Sequence, residues 1–253
     1  ALFQERVLPD LGNNIKCGNS LIGYDYFEGR MLVEQEERER VNAFDWKAEF
    51  PQVFAQGGFD AVFGNPPYIR IHNLIDYQPD EIKFIQSHYS TASFGKVDIY
   101  VAFVEKGLQV LNKSGLLGYI LPNKFMQADY GVGLRKLMDE KKVLTQLVDF
   151  GNAQVFEGAT TYTCLLFLSN SVSGNIRAKF NKSNLSPKHF LNDIPFEERD
   201  IKSFGTEPWQ AASSLDVSIL EKIKSVSIQL SDVVDLAMTG VKTGSNSIFV
   251  FEV

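Results

Sequence analysis

Short apolar runs alternate with longer amphipathic ones through most of this chain. Phe59-Asp60-Ala61-Val62-Phe63, set off by Gly57-Gly58, reads as a short buried strand that runs directly into Gly64-Asn65-Pro66-Pro67-Tyr68. Val97 to Leu111 has helical periodicity, with Ile99, Phe103, Leu108 and Leu111 among its apolar positions and Asn112, Ser114 and Gly115 at its end. Leu116 to Leu121 predicts a strand closed by Pro122 and Asn123. Gly133 to Lys142 predicts a helix with basic residues toward its C-terminal end, where they complement the dipole. Val143 to Phe150 and Tyr162 to Leu168 predict two more strands. Strands alternating with helices imply an α/β fold with a mostly parallel sheet and helices on both faces.

The flanks are less regular. Residues 11 to 23 suggest a weak strand running into a turn, and Tyr26 to Phe54 a helical insertion. Residues 172 to 215, holding Pro187, Pro195 and Pro208, lose the rhythm and read as a connection with a little local structure. A helix over Asp216 to Lys224, then Val233-Val234-Asp235-Leu236, Thr239-Gly240-Val241-Lys242-Thr243-Gly244 and a strand at Ser247 to Phe251, look like the opening of a second domain. The expected division is 1–172, 173–230 and 231–253. No internal repeat or low-complexity segment is visible.

Composition excludes several classes. The chain has 253 residues, 44% apolar and 22% charged, which is ordinary for a folded protein rather than a disordered one. No run approaches the ~18 to 20 apolar residues of a membrane span, and Ala1 to Arg6 lacks a signal-peptide profile, so a cytoplasmic protein is expected. Cys17 and Cys164 form no Cys-x-x-Cys and read as core or near-core thiols. His72, His88 and His189 have no metal-ligand spacing, so no metal is expected. A net charge of −6 argues against a protein that coats nucleic acid non-specifically, without excluding a local basic patch. Much of the acidity sits in Glu34 to Arg40, which reads as a solvated helix face.

Candidate chemistry concentrates in Asn65-Pro66-Pro67-Tyr68. Ligands of open α/β sheets bind beyond the carboxyl ends of strands, which is where this tetrapeptide falls. The residue before a proline is pushed to extended backbone, and Pro66 and Pro67 fix φ and contribute carbonyls without N–H groups. The result is a rigid loop rich in acceptors. An exocyclic aromatic amine such as adenine N6 is a poor nucleophile, because its lone pair is delocalised into the ring. The Asn65 side-chain oxygen and the Pro66 carbonyl can each accept one amine hydrogen, concentrating electron density on nitrogen as it attacks an electrophilic methyl. Tyr68 supplies a flat face for a base flipped out of a duplex.

The chain resembles the amino-methyltransferases that use S-adenosylmethionine, in the Asn-Pro-Pro-Tyr form of adenine-directed enzymes. Asn19-Ser20-Leu21, Phe59-Asp60, Asp98-Ile99-Tyr100 and Val148-Asp149-Phe150-Gly151 extend the likeness to the single-chain type IIG restriction-modification methyltransferases, over most of residues 10 to 170. The resemblance implies a partial Rossmann-like methyltransferase sheet and N6-adenine methylation of a specific double-stranded DNA sequence, in restriction-modification or phage defence. Asn19, in place of the usual acidic residue, and Ser20 would meet the cofactor's adenine. Phe103 would pack near the cofactor, and Phe156 would face the flipped base together with Tyr68.

The glycine-rich cofactor loop of that family is not found upstream of Gly18. The chain is therefore expected to be a fragment whose N-terminal and C-terminal portions are missing, with weak or no S-adenosylmethionine binding of its own. Thr239 to Gly244 looks like the entrance to a target-recognition domain, with Lys242 a candidate phosphate contact. Pro9-Asp10 and Glu81-Ile82-Lys83 are too far apart to make a nuclease site. Two alternatives stay open: a protein-glutamine or RNA methyltransferase built on the same motif, and a non-catalytic DNA-binding module.

Overall fold

The computed structural model describes residues 11–93, 97–158, 161–171 and 174–209, with 219, 222–223, 225–228 and 232–234 beyond them. The chain divides into two compact units, Ala1–Gln210 and Ala211–Val253. In the second, Ile219, Lys222 and Ile223 of the expected helix are helical, while Lys242, the Thr239 to Gly244 turn and the Ser247 to Phe251 strand lie outside the described residues.

Among its described residues the first unit has six strands: β1 (Phe59–Gly64), β2 (Leu111–Pro122), β3 (Leu144–Asp149), β4 (Thr163–Ser169), β5 (Asn175–Phe180) and β6 (Glu197–Asp200). Their order across the sheet is β1-β2-β4-β3-β5-β6. β1 and β2 pair in parallel, β4 is antiparallel to both β2 and β3, β3 and β5 are parallel, and β6 is antiparallel to β5. Four of the six strands thus share one direction, as a mostly parallel sheet requires. The chain segments following β1, β2, β3 and β5 all emerge at one edge.

The helices are α1 (Gln35–Val41), α2 (Trp46–Glu49), α3 (Pro51–Phe54), α4 (Pro79–His88), α5 (Tyr100–Val110), α6 (Val132–Lys141) and α7 (Pro187–Asp193). α5 lies against β2, and the packing requires Gly107, since a Cβ there would come within 2.4 Å of Leu117 Cδ1 and 2.9 Å of the Tyr119 hydroxyl. Tyr100, Leu117, Leu121, Leu134 and Leu144 are fully buried. Each of these leucines contributes about 1.5 to 3 kcal/mol by leaving water.

Several expectations change. The single insertion over 26–54 is three short helices after a turn of 3-10 helix at Tyr24–Phe27, because Asn42 ends α1 in the left-handed conformation at φ 47°, Asp45 caps α2 and Pro51 opens α3. The weak strand over 11–23 is a turn followed by one bridge, Asn19 to Ala43. The stretch read as a connection supplies β5, α7 and β6, two strands that the hydrophobic pattern does not indicate among them. Cys17 is exposed rather than near the core, while Cys164 is buried. Glu81 is buried in an ion pair with Arg40, a structural placement. Among the described residues no helix is long and apolar enough to cross a membrane, and no cluster of His, Cys, Asp or Glu could hold a metal ion.

Candidate active site

The loop at Asn65 is fixed from both sides. Upstream, Phe59 at the head of β1 meets Trp46, Phe50 and Phe54 edge-on at centroid distances of 5.8, 5.4 and 5.9 Å. Gly58, at φ +122°, passes so close to β2 that a Cβ would come within 2.6 Å of the Val110 carbonyl oxygen. Downstream, the chain pairs briefly with the segment before α5: Ile71 N–H donates to Val97 O at 2.9 Å and Ile99 N–H to Ile69 O at 2.8 Å. Pro66 is buried between these anchors, while Asn65 and Pro67 are exposed. Among the described residues the Asn65 carboxamide has no hydrogen-bond partner, which leaves its acceptor capacity to a ligand.

Tyr68 is held against the end of β2. Its hydroxyl donates to Ile120 O at 3.1 Å, and its ring meets Tyr100 edge-on at 6.4 Å. Burial, helped by the nearby Cys164, pushes its pKa up to about 12, so the side chain stays a neutral donor across the physiological range.

A cavity of about 240 Å³ opens beside the loop. Its walls include Asn65, Pro66 and Pro67, together with Ser20, Trp46, Phe103 and Lys106. A larger cavity of about 370 Å³ shares Trp46, Lys106 and Val110 with it and adds Asp25, Asp45 and His88. Burial lowers the Lys106 pKa, while Asp25 and Asp45 act in the opposite sense. Of the residues expected at the site, the first cavity gathers Asn65, Pro66, Pro67, Ser20 and Phe103. Asn19 is not among its walls: its Oδ1 accepts from Leu21 N–H at 3.2 Å in a local turn. Phe156 is 39% exposed on the connection between β3 and β4. Trp46 and Lys106 were not singled out in the sequence. Trp46 is oriented by its indole N–H, which donates to Ser20 O at 3.0 Å across 26 residues, a pairing with no local signature.

At the same edge of the sheet, buried Asp149 ends β3. Its Oδ1 accepts from Asn123 Nδ2 at 2.9 Å and from Gly151 N–H at 3.0 Å. Burial raises its pKa above the ordinary carboxylate value, and these two donors pull partly the other way. The charged form is therefore a net cost to the fold, absent at low pH and incurred as pH rises through the raised value. Asp149→Asn is expected to raise the thermal midpoint at pH 7.5. The gain should shrink as the pH falls toward the range where the wild-type carboxyl takes up its proton. A midpoint difference that grew on acidification would contradict this.

An acceptor-rich Asn-Pro-Pro-Tyr loop at the carboxyl edge of an α/β sheet is the arrangement that the resemblance to amino-methyltransferases implied, and the reversed internal strand β4 adds to it. Residues 4–156 match the Eco57I restriction-modification methylase family, and the chain belongs to that family. It is 32% identical over 250 residues to the type II restriction enzyme and methyltransferase RM.Eco57I of Escherichia coli, covering 96% of this chain and 23% of that protein. It is 26% identical over 208 residues to the type II methyltransferase M.PaeR7I of Pseudomonas aeruginosa, covering 77% of this chain and 36% of that one. The chain thus spans only a quarter to about a third of these relatives. Among solved structures, the DNA-bound type ISP restriction-modification enzyme LlaBIII superimposes with a TM-score of 0.47 at 14% identity, over 79% of this chain and 15% of that one.

Proposed function

We propose that the whole protein transfers a methyl group from S-adenosylmethionine to N6 of adenine within a specific duplex sequence, as the modification activity of a restriction-modification or phage-defence system. One observation carries this reading: Asn65 presents an exposed carboxamide, without a hydrogen-bond partner among the described residues, at the ligand-binding edge of the sheet, followed by buried Pro66. The Asn65 oxygen and the Pro66 carbonyl accept the two amine hydrogens. That interaction strengthens as nitrogen loses conjugation and gains positive charge, so it favours the transition state over the ground state. Tyr68 and Phe156 hold the extruded base by their rings. In this reading residues 231–253 open the target-recognition domain.

The cofactor, when bound, supplies a methyl carried on a sulfonium. The cavity beside the loop fits its adenosyl end, since Trp46 and Phe103 offer aromatic walls and the adjoining cavity offers the carboxylates of Asp25 and Asp45 as acceptors for amine or hydroxyl groups. Phe103→Ala is expected to weaken S-adenosylmethionine binding by about tenfold, in line with ~1 to 3 kcal/mol for an aromatic platform under a base. Asn19→Ala is expected to change it less, because that oxygen already serves a turn. Calorimetric titration of both variants of the full-length protein distinguishes the two residues, and equal losses would return Asn19 to the cofactor site.

The reading as a whole is tested by incubating the full-length protein with cofactor carrying a tritiated methyl group and offering duplex DNA, RNA and protein in parallel. Label is expected in DNA. Transfer to protein glutamine or to RNA alone would replace the reading with another methyl acceptor.

A further inference from the structure

The two aromatic walls proposed for the base sit on separate loops, and both are referenced to the end of β2 and the residue that follows it. Tyr68 is tied to Ile120 O on β2. Three residues on, Asn123 holds both ends of the connection between β3 and β4 that carries Phe156. At the start of that connection, Asn123 Nδ2 donates to Gly151 O at 3.3 Å and to Asp149 Oδ1 at 2.9 Å. At its end, the Asn123 backbone N–H donates to Tyr162 O at 3.0 Å. Two acceptors facing one amide nitrogen fix which way the carboxamide points.

The start of the connection is further constrained. Gly151 has φ +60°, and a Cβ there would come within 2.7 Å of Asn181 O, so the turn is confined to glycine. Asn181 N–H donates to Asp149 O at 2.9 Å, which brings the segment after β5 into the same junction. Asp149 accepts from two donors with one buried oxygen and has no ion pair among the described residues. Its charge strengthens both bonds at a cost in desolvation.

We propose that Asn123, backed by Asp149, is a positioning residue that sets the Phe156 loop relative to Tyr68 and so fixes the width of the slot that receives the extruded base. This rests on the base-methylation reading above. Asn123 acts through the loop and not on the reacting atoms. Removing its side chain leaves the backbone bond to Tyr162 and frees only the Gly151 end.

The test combines hydrogen exchange with a double-mutant cycle in the full-length protein. In Asn123→Ala, faster amide exchange is expected in residues 150–158, with little change in β2 and β3. In transfer to a duplex, Asn123→Ala and Phe156→Ala are each expected to lower kcat/KM by about tenfold. The double variant should be no worse than about twofold below Phe156→Ala alone, because the loop has nothing left to position. Fluorescence of 2-aminopurine at the target site should fall in the same non-additive way, with S-adenosylmethionine affinity unchanged. Losses that multiply to about a hundredfold, or unchanged exchange in 150–158, overturn the proposal. Should Asn123→Ala not fold, Asp149→Asn takes its place in the cycle, since it removes the charge behind both bonds and keeps an acceptor. If the wild-type protein labels no DNA, the methylation reading fails separately and the exchange result alone decides whether Asn123 holds the loop.

Discussion

Asn65→Ala is expected to reduce methyl transfer by about two to three orders of magnitude while leaving duplex binding within a few-fold of wild type. Removing one preorganised hydrogen-bonding group aimed at developing charge typically costs about 2.7 to 4 kcal/mol of transition-state stabilisation. The carboxamide is exposed, makes no hydrogen bond among the described residues and sits between buried, rigid anchors, so truncating it should remove little stability. Single-turnover methylation and duplex binding, measured on one preparation, separate the two effects. A rate loss matched by an equal loss of folded protein would mean that Asn65 is a structural turn residue. Asn65→Asp is informative beside it, because an acceptor remains while a negative charge is added, and partial activity is expected.

Tyr68 should divide into two contributions. Tyr68→Phe removes the hydroxyl that donates to Ile120 O and leaves the ring with its edge contact to Tyr100. A hydrogen bond of this kind is worth ~0.5 to 1.5 kcal/mol, so a loss of no more than about tenfold in kcat/KM is expected. Tyr68→Ala removes the platform as well, and stacking adds ~1 to 3 kcal/mol, so the combined loss approaches two orders of magnitude or more. It should be accompanied by a weaker 2-aminopurine signal from a target-site analogue. Equal losses in the two variants would assign the whole effect to the hydroxyl and remove the stacking role.

The part of the site that could be read from sequence is the part that is local. β1 and the loop after it lie within ten consecutive residues, with Gly57-Gly58 before them and two prolines within, and backbone rules alone place Asn65 at the end of a strand. Asn112, Ser114 and Gly115 resemble a helix end, and so the sequence alone predicts a shorter β2. In the fold the strand begins at Leu111, and the irregularity is absorbed where Phe59 pairs with Leu111 but Ala61 pairs with Leu116. β5 carried a period-two signal in Ile176, Ala178 and Phe180 that the charges between them obscured. Lys179 is nonetheless buried, its ammonium bonded to the carbonyl oxygens of Leu191 and Ile194 at 2.9 and 3.0 Å near the end of α7. The junction of Asn123 with Asp149 spans 26 residues and has no sequence signature, since neither residue type is unusual at a strand end.

The same distinction separates Asn19 from Ser20 and Phe103. The resemblance carries over all three, but only Ser20 and Phe103 face the cavity beside the Asn65 loop. Position in a motif fixes where the backbone runs. Whether a side chain is free for a ligand depends on whether a neighbouring N–H has already claimed it, as Leu21 claims Asn19.

The central claim is tested most directly by the identity of the methylated nucleoside. Duplex DNA treated with the full-length protein and S-adenosylmethionine is digested and its nucleosides are separated by mass spectrometry. N6-methyldeoxyadenosine that disappears in Asn65→Ala is the expected result. Methylated cytosine in its place, or N6-methyldeoxyadenosine undiminished in Asn65→Ala, would contradict it.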